Sequence, residues 1–258
     1  MLPTGRVRWP PILTYHAIAR VADDPYNVCV SPEQFEAQMF YLKRHSLRGV
    51  SMRELLYAIR EGNTRGLVGL TFDDGYENLL QTVLPVLESL GFTCTSFVLA
   101  GMLGEQNSWD TEPRMELLGP KGIREVSERG MEVGSHGMNH LKLASLDPEH
   151  LEQEVSGSRQ ILSEVLGKEV EGFSYPYGIH DKRVAQAVQR AGYAYGCAIW
   201  TWRRSVYTVP RIPVFEWDDP SFRLLAKLCA YSPYVKMRRA LAQSFLTLYR
   251  LGRRRNGG

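Results

Sequence analysis

Residues 66–100 read "GLVGLTFDDGYENLLQTVLPVLESLGFTCTSFVLA", and the order of their apolar runs decides the fold class. The first run, 66–72, is short and carries no charge, the pattern of a strand buried on both faces. Residues 77–91 have helical spacing with Pro85 inside, which predicts a kink or a restart, because proline lacks the N–H that a helix interior needs. Gly91 closes that helix, and a second apolar strand follows over 92–100. Strand, helix, strand in this order is a βαβ unit, whose two strands run parallel.

The same alternation extends in both directions. "PILTYHAI" (11–18) reads as a strand, and "SPEQFEAQMFYLKRH" (31–45) as a helix capped by Ser31 with Phe35, Met39 and Leu42 on one face. "SMRELLYAIREG" (51–62) is a second capped helix. Downstream, "MEVGSH" (131–136), "VEGFSYPYG" (170–178), "YAYGCAI" (193–199) and "VYTVPRIPV" (206–214) are strand-like. Helices over 123–130, 147–167 and 181–192 separate them, the second capped by Asp147 and stopped by Gly167. Seven strands in parallel βα units predict an α/β chain closed into a distorted (β/α)7-type barrel, with reactive groups at the carboxyl ends of the strands. A single domain over 1–219 and a basic helical tail over 220–258 are expected.

Composition agrees with one large globular domain: 258 residues, 44% hydrophobic and 23% charged. A net charge of +3 is too small to argue for nucleic acid as a partner. Cys29, Cys94, Cys197 and Cys229 are far apart and form no CxxC pair, so free thiols are expected rather than a disulfide framework or a zinc ribbon. No long apolar stretch follows the N-terminal arginines and no run of about 18 apolar residues occurs, so the reading is a cytoplasmic protein without signal peptide or membrane span.

Chemistry concentrates at the strand ends. Asp73 and Asp74 close the strand over 66–72. A turn with a helix cap needs one of them; two adjacent carboxylates repel unless a cation or a shared proton relieves them. His136 and His140 follow the strand over 131–136 at a spacing of four. They read either as two surface histidines or, with one Asp, as a facial set for a divalent ion. "FSYPYG" (173–178) is either a plain turn or a place where Tyr177 offers its backbone N–H to an oxyanion and its ring to a pocket. His16, near the end of "PILTYHAI", reads by itself as a buried histidine satisfied by hydrogen bonds.

Together "TFDDG", "SHGMNH" and "FSYPYG", in this order, resemble the first three motifs of the polysaccharide deacetylase family, carbohydrate esterase family 4, also called the NodB-homology domain. The opening "PILTYHAI…FEAQMFYLKRH" and the later "AGYAYGCA" and "VPRIPV" are similar to it as well, so the resemblance covers about 10–215. It implies a distorted (β/α) barrel that removes N-acetyl, sometimes O-acetyl, groups from glycans with a divalent metal, usually zinc, with cobalt or nickel as alternatives. It implies Asp74, His136 and His140 as ligands and Asp73 as general base. The family's usual general-acid histidine lies near the C-terminus, whereas this chain has no histidine after His180. The resemblance is to a circularly permuted subset, in which that histidine arrives on the first strand in a "YH" pair, which gives the role to His16. Common members also pair the base aspartate with an arginine of the third motif. Ser174 occupies that stretch here, and Arg211 of "VPRIPV" is the replacement, or else a surface arginine. Trp109 and Trp217 stack on sugar faces or simply pack, and Tyr175 joins them as a substrate-binding aromatic.

Residues 222–255 contain no acidic side chain and mix leucines and aromatics with Arg and Lys. Such a segment lies at an anionic membrane surface, packs on the barrel, or is a basic tail. The expected activity is thus N-deacetylation of a polysaccharide, an oligosaccharide or a lipid-linked glycan precursor. An acetyl esterase, a small-amide deacylase and a non-catalytic glycan-binding protein are the alternatives.

Overall fold

The computed structural model describes residues 9–199 and 205–231. Its strands are β1 (Ile12–Tyr15), β2 (Ala17–Ile18), β3 (Cys29–Val30), β4 (Arg48–Val50), β5 (Leu67–Phe72), β6 (Thr95–Val98), β7 (Glu132–Ser135), β8 (Gly172–Ser174), β9 (Tyr195–Ile199) and β10 (Val209–Pro213). The α-helices are α1 (Pro32–Arg44), α2 (Met52–Arg60), α3 (Leu84–Leu90), α4 (Pro120–Glu128), α5 (Pro148–Glu152), α6 (Ser158–Leu166), α7 (Lys182–Arg190) and α8 (Arg223–Tyr231).

Closure of the sheet is visible at one residue: Leu13 of β1 pairs in parallel with Leu70 of β5 on one side and Ile212 of β10 on the other. From β5 the parallel ladder continues through β6, β7, β8 and β9 to β10, which completes a barrel of seven strands. These are the seven strands predicted from the sequence. The distortion comes from β4. It pairs with β5 over Leu67–Gly69, and Thr93 N–H donates to the Gly49 carbonyl, so β4 wedges between the lower ends of β5 and β6, which pair only at Thr71–Phe72 and Thr95–Ser96. No strand was expected at β4, because three residues between two helices carry no periodicity. The expected strand 11–18 is also divided. After Tyr15, whose carbonyl accepts from Asp73 N–H, the chain leaves the barrel, and Ala17–Ile18 pairs with Cys29–Val30 instead. His16 sits at that departure point, at the carboxyl end of β1.

Helix ends follow the local chemistry. Ser31, Ser51, Asp147 and Asp181 accept backbone N–H bonds at the N-termini of α1, α2, α5 and α7, and Gly91 and Gly167 end α3 and α6 in the left-handed conformation. Pro85 does not restart the helix: a π-turn over Leu79–Val83 runs directly into α3, with Val83 and Leu84 both helical, so the expected break is a local π-bulge next to the proline. A second π-turn, Gln153–Gly157, divides the helix expected as continuous over 147–167 into α5 and α6.

The barrel interior leaves no slack at its narrow positions. A Cβ on Gly172 would lie 2.1 Å from the Tyr195 hydroxyl, which is fixed by donating to Glu132 at 2.9 Å, and a Cβ on Gly134 would lie 2.5 Å from the Phe97 ring. Glu132 also accepts from Thr95 Oγ1 at 2.7 Å and from Arg53 N–H at 2.7 Å, so its buried carboxylate is satisfied. Helix α8 packs into the same core through Leu224 and Leu228, and Lys227 donates to the Pro213 carbonyl and to Asp218. Residues 223–231 are therefore built into the domain, while 232–258 of the tail expected over 220–258 lie outside the described residues. The four cysteines are free and buried, and burial pushes Cys29 and Cys197 up to about 12. Among the described residues no helix is long and apolar enough to cross a membrane.

Candidate active site

The carboxyl ends of β5 and β7 bring three side chains to one point. Asp74 Oδ1 lies 3.3 Å from His136 Nε2 and 3.5 Å from His140 Nε2, and the three ligand atoms all fall within 4.8 Å of one another. All three residues are buried. A tetrahedral centre with bonds of about 2.0–2.1 Å separates its ligand atoms by roughly 3.3–3.4 Å, so the spacing suits a shared cation better than direct hydrogen bonds. One orphaned atom points the same way: Asp74 Oδ1, the oxygen that faces both histidines, is buried without a hydrogen-bond partner. His136 Nδ1 donates to the Ser174 carbonyl at 2.9 Å. That bond places a proton on Nδ1 and turns Nε2 to Asp74, the orientation of a metal-binding histidine; burial opposes a charge on this ring, but Asp73 and Asp74 outweigh it and raise His136 above its usual value. Burial pushes His140 down to about 4, so its ring is neutral near pH 7. The donor set fits a divalent ion of the zinc type.

Backbone strain accompanies this arrangement. Asp74 and His140 are non-glycine residues in the left-handed region, at φ 70° and 56°. Such conformations persist where surrounding contacts over-determine them. Met138 and Gly137 carbonyls accept from Gly101 and Ala100 N–H, which fastens the His136–His140 loop to the end of β6.

Asp73 faces a different partner. Arg211 grips it with two parallel bonds, Nη1 to Oδ1 and Nη2 to Oδ2, both 2.7 Å. The same guanidinium donates to Ser174 Oγ at 2.8 Å and Thr71 Oγ1 at 3.2 Å, and Ser174 Oγ lies 3.3 Å from Asp73 Oδ2. Arg211 is buried, not on the surface, and the Phe97 ring lies under its guanidinium at 5.5 Å. Burial alone would raise the Asp73 carboxyl, but the Arg211 charge overcomes it and holds the group below the usual carboxylate range.

His16 is half-buried and directly follows Tyr15 of β1, whose carbonyl accepts from Asp73 N–H at 2.9 Å, so its backbone stands at the same carboxyl end of the barrel as the two aspartates. Trp109 and Tyr177 flank His140, with ring centroids at 4.5 and 4.4 Å. Tyr177 is 46% exposed, stands at φ 59°, and carries Lys142 Nζ over its ring at 5.6 Å. Tyr175 is not on the cleft. It is fully buried, its hydroxyl donates to the Tyr207 carbonyl at 2.7 Å, and its ring stacks on His180. Residues two apart would share a face in an extended strand; here the turn at Pro176–Gly178, with Tyr177 in the left-handed region, breaks the extended run and turns the second tyrosine away from the first. Trp217 stacks on Phe215, and among the described residues no ring contact joins it to the triad.

Several nearby residues were not singled out from sequence. Thr71 and Ser174 complete the Asp73–Arg211 cluster. Asp110 lies close enough to Asp74 that burial and that charge together push its carboxyl up. Adjacency to Trp109 was the one available signal for it. Tyr76, two residues after Asp74, is buried, and burial together with the Asp74 charge pushes its hydroxyl well up.

Comparison with known proteins gives the same assignment. The sequence profile described as "Polysaccharide deacetylase" matches residues 60–196, more than half of the chain's 258 residues. That stretch contains Asp73, Asp74, His136 and His140, but neither His16 nor Arg211. YxkH of Bacillus subtilis, named for the same family, is 27% identical over 188 residues, 72% of this chain and 63% of the relative. The chain thus spans less than two thirds of that protein. A poly-β-1,6-N-acetyl-D-glucosamine N-deacetylase of Staphylococcus aureus is 26% identical over 215 residues, 78% of this chain and 72% of the relative. Among solved structures, the Streptococcus pyogenes deacetylase PplD, in complex with acetate, superposes with a TM-score of 0.72 over 85% of this chain and 97% of its own, at 24% identity. A polysaccharide deacetylase from Bacillus cereus gives 0.71 over 84% and 68%, at 23% identity. With the profile matched over more than half of its length, this chain belongs to the polysaccharide deacetylase family.

Proposed function

We propose that the protein is a metal-dependent hydrolase that removes N-acetyl groups from N-acetylated amino sugars of a glycan. The observation that carries this reading is the juxtaposition of the Asp74–His136–His140 set with a second carboxylate, Asp73, held ionised by Arg211. Binding alone would need one of these features, not both. The Staphylococcus relative favours β-1,6-linked N-acetylglucosamine as the substrate class.

Asp74, His136 and His140 would hold the ion, zinc or, by the same donor chemistry, cobalt or nickel. When bound, it supplies Lewis acidity to the acetyl carbonyl and the attacking water. Asp73 accepts the proton of that water as it adds to the carbonyl carbon, and Arg211 fixes the carboxylate in orientation and charge. The Tyr177 N–H donates to the oxygen that gains charge in the addition. His16 delivers a proton to the sugar nitrogen as the C–N bond breaks, since an amine leaves poorly as an anion. Acetate and a free amino sugar are the products. Trp109 and the Tyr177 ring form the walls against which the sugar stacks.

The role of His16 has a test that separates acid catalysis from structure. On N-acetylglucosamine oligomers, His16→Ala is expected to lower the rate of acetate release by about 10²–10⁴-fold. On an acetyl ester with a phenolate leaving group, which departs without a proton, the same variant stays near the wild-type rate. Equal losses on both substrates, or no loss on the amide, would reject the assignment.

The sequence of 232–255, without an acidic residue, supports a peripheral location at an anionic membrane face, where the substrate would be a nascent or lipid-linked glycan on the cytoplasmic side.

A further inference from the structure

The loop that joins the two histidines is held by a residue from a distant helix. Glu154 is buried in the π-turn between α5 and α6, 14 residues beyond His140 in the chain. Its Oε2 accepts Met138 N–H at 2.9 Å and Asn139 N–H at 3.2 Å, and its Oε1 accepts Asn139 Nδ2 at 2.7 Å. Among the described residues no cation pairs with it. The whole carboxylate is therefore devoted to the backbone and side chain of the segment between His136 and His140.

The surroundings are shaped around this contact. Gly137 stands at φ +85°, and a Cβ there would approach Glu154 Oε2 to 3.2 Å. On the other face of the loop, a Cβ on Gly101 would lie 2.7 Å from Asn139 Oδ1 and 2.8 Å from the Met138 carbonyl. The loop is thus gripped from both sides, by Ala100 and Gly101 and by Glu154. The π-turn is a local departure from helical geometry, and such insertions change where a side chain points by about a residue's rotation. A regular helix through 153–157 would aim position 154 elsewhere.

We propose that Glu154 is a positioning residue that sets the separation of His136 and His140, and hence the affinity of the site for a divalent ion. The inference rests on the metal reading of the triad above. The carboxylate, an acceptor at both oxygens, meets three N–H donors at once. It opposes the tendency of His140 to leave the left-handed conformation, and it fixes the ring before an ion arrives.

The test is zinc affinity of the full chain, measured by competition with a chromophoric chelator, together with the visible spectrum of the cobalt-loaded protein. Glu154→Ala is expected to weaken zinc binding by about 10–100-fold, the usual effect of losing a group that orients a ligand. The cobalt bands should shift, while circular dichroism of the metal-free variant stays that of the wild type. Glu154→Gln is expected to keep most of the affinity, because the Asn139 amide can turn over to present its oxygen. Asn139→Ala, at an exposed side chain, removes one of the three bonds without threatening the fold and should give a smaller loss of the same sign. Unchanged affinity and spectrum in both Glu154→Ala and Asn139→Ala would overturn the proposal. Failure of the wild type itself to bind zinc would overturn the metal reading and this inference with it, a result that a control on Asp74→Asn, expected to abolish binding, makes distinguishable.

Discussion

Asp73→Asn is expected to lower acetate release from an N-acetylglucosamine oligomer by about 10²–10⁴-fold while leaving zinc affinity within a few-fold of wild type. The separation follows from the geometry. Asp73 makes its close contacts with Arg211 and Ser174, whereas Asp74 alone of the two carboxylates approaches the histidines. The substitution also removes the counter-charge of a guanidinium that is wholly buried. An asparagine oxygen can accept from one Nη, but its amide then turns N–H groups toward the other Nη. Leaving a buried charge unpaired costs about 3–5 kcal/mol, so the variant should unfold at lower denaturant concentration, and rates must be compared where both proteins are folded. Parallel losses of activity and zinc affinity would mean that Asp73 only supports the site.

Arg211→Ala should be the more damaging of the two to stability. It strips the same pair, vacates the space above the Phe97 ring, and leaves Thr71 and Ser174 without their shared donor. A loss of about 3–5 kcal/mol is expected from the broken pair, measurable by urea unfolding. The pH dependence should change sign. In the wild type the Asp73 carboxyl titrates below its unfolded value of about 3.9, so its contribution to stability is present above that pH and is lost as pH falls through the lower folded value. Without Arg211, burial acts against the ionised form, the folded value rises above the unfolded one, and stability declines as pH rises through that interval. Activity should lose its acid side at higher pH for the same reason. An unchanged stability profile, or an acid limb that stays in place, would show that Arg211 does not govern Asp73.

Much of this site was legible in the sequence because it lies at strand ends. A short apolar run that stops at "DD", "SH" or "YPYG" specifies both the strand and the place where reactive side chains emerge, and parallel barrel closure does the rest. The seven barrel strands, and a grouping of one aspartate of the pair with His136 and His140, could be read this way, while the choice of Asp74 over Asp73 came from the resemblance. Arg211 could be named only through the resemblance, since nothing local in "VPRIPV" tells a buried arginine from an exposed one. What could not be read depends on contacts distant in the chain. Strand β4 exists because β5 and β6 diverge at their lower ends and leave backbone groups to pair. Glu154 is one acid in a helix rich in acids, and only the π-turn and the loop it meets distinguish it. Tyr175 and Tyr177 look equivalent in "FSYPYG", yet one is spent on Tyr207 and the other flanks His140. Trp217 read either as a sugar-stacking ring or as plain packing; it stacks on Phe215 and stays half exposed.

The most direct test of the account is acetate release by chelator-stripped protein titrated with zinc, using β-1,6-linked N-acetylglucosamine oligomers and counting acetate against free amine. The account predicts no release from the stripped protein, recovery that saturates at one zinc per chain, and one amine for each acetate. Full activity in the stripped protein, or zinc bound at one equivalent with no acetate released from any acetamido sugar, would contradict it.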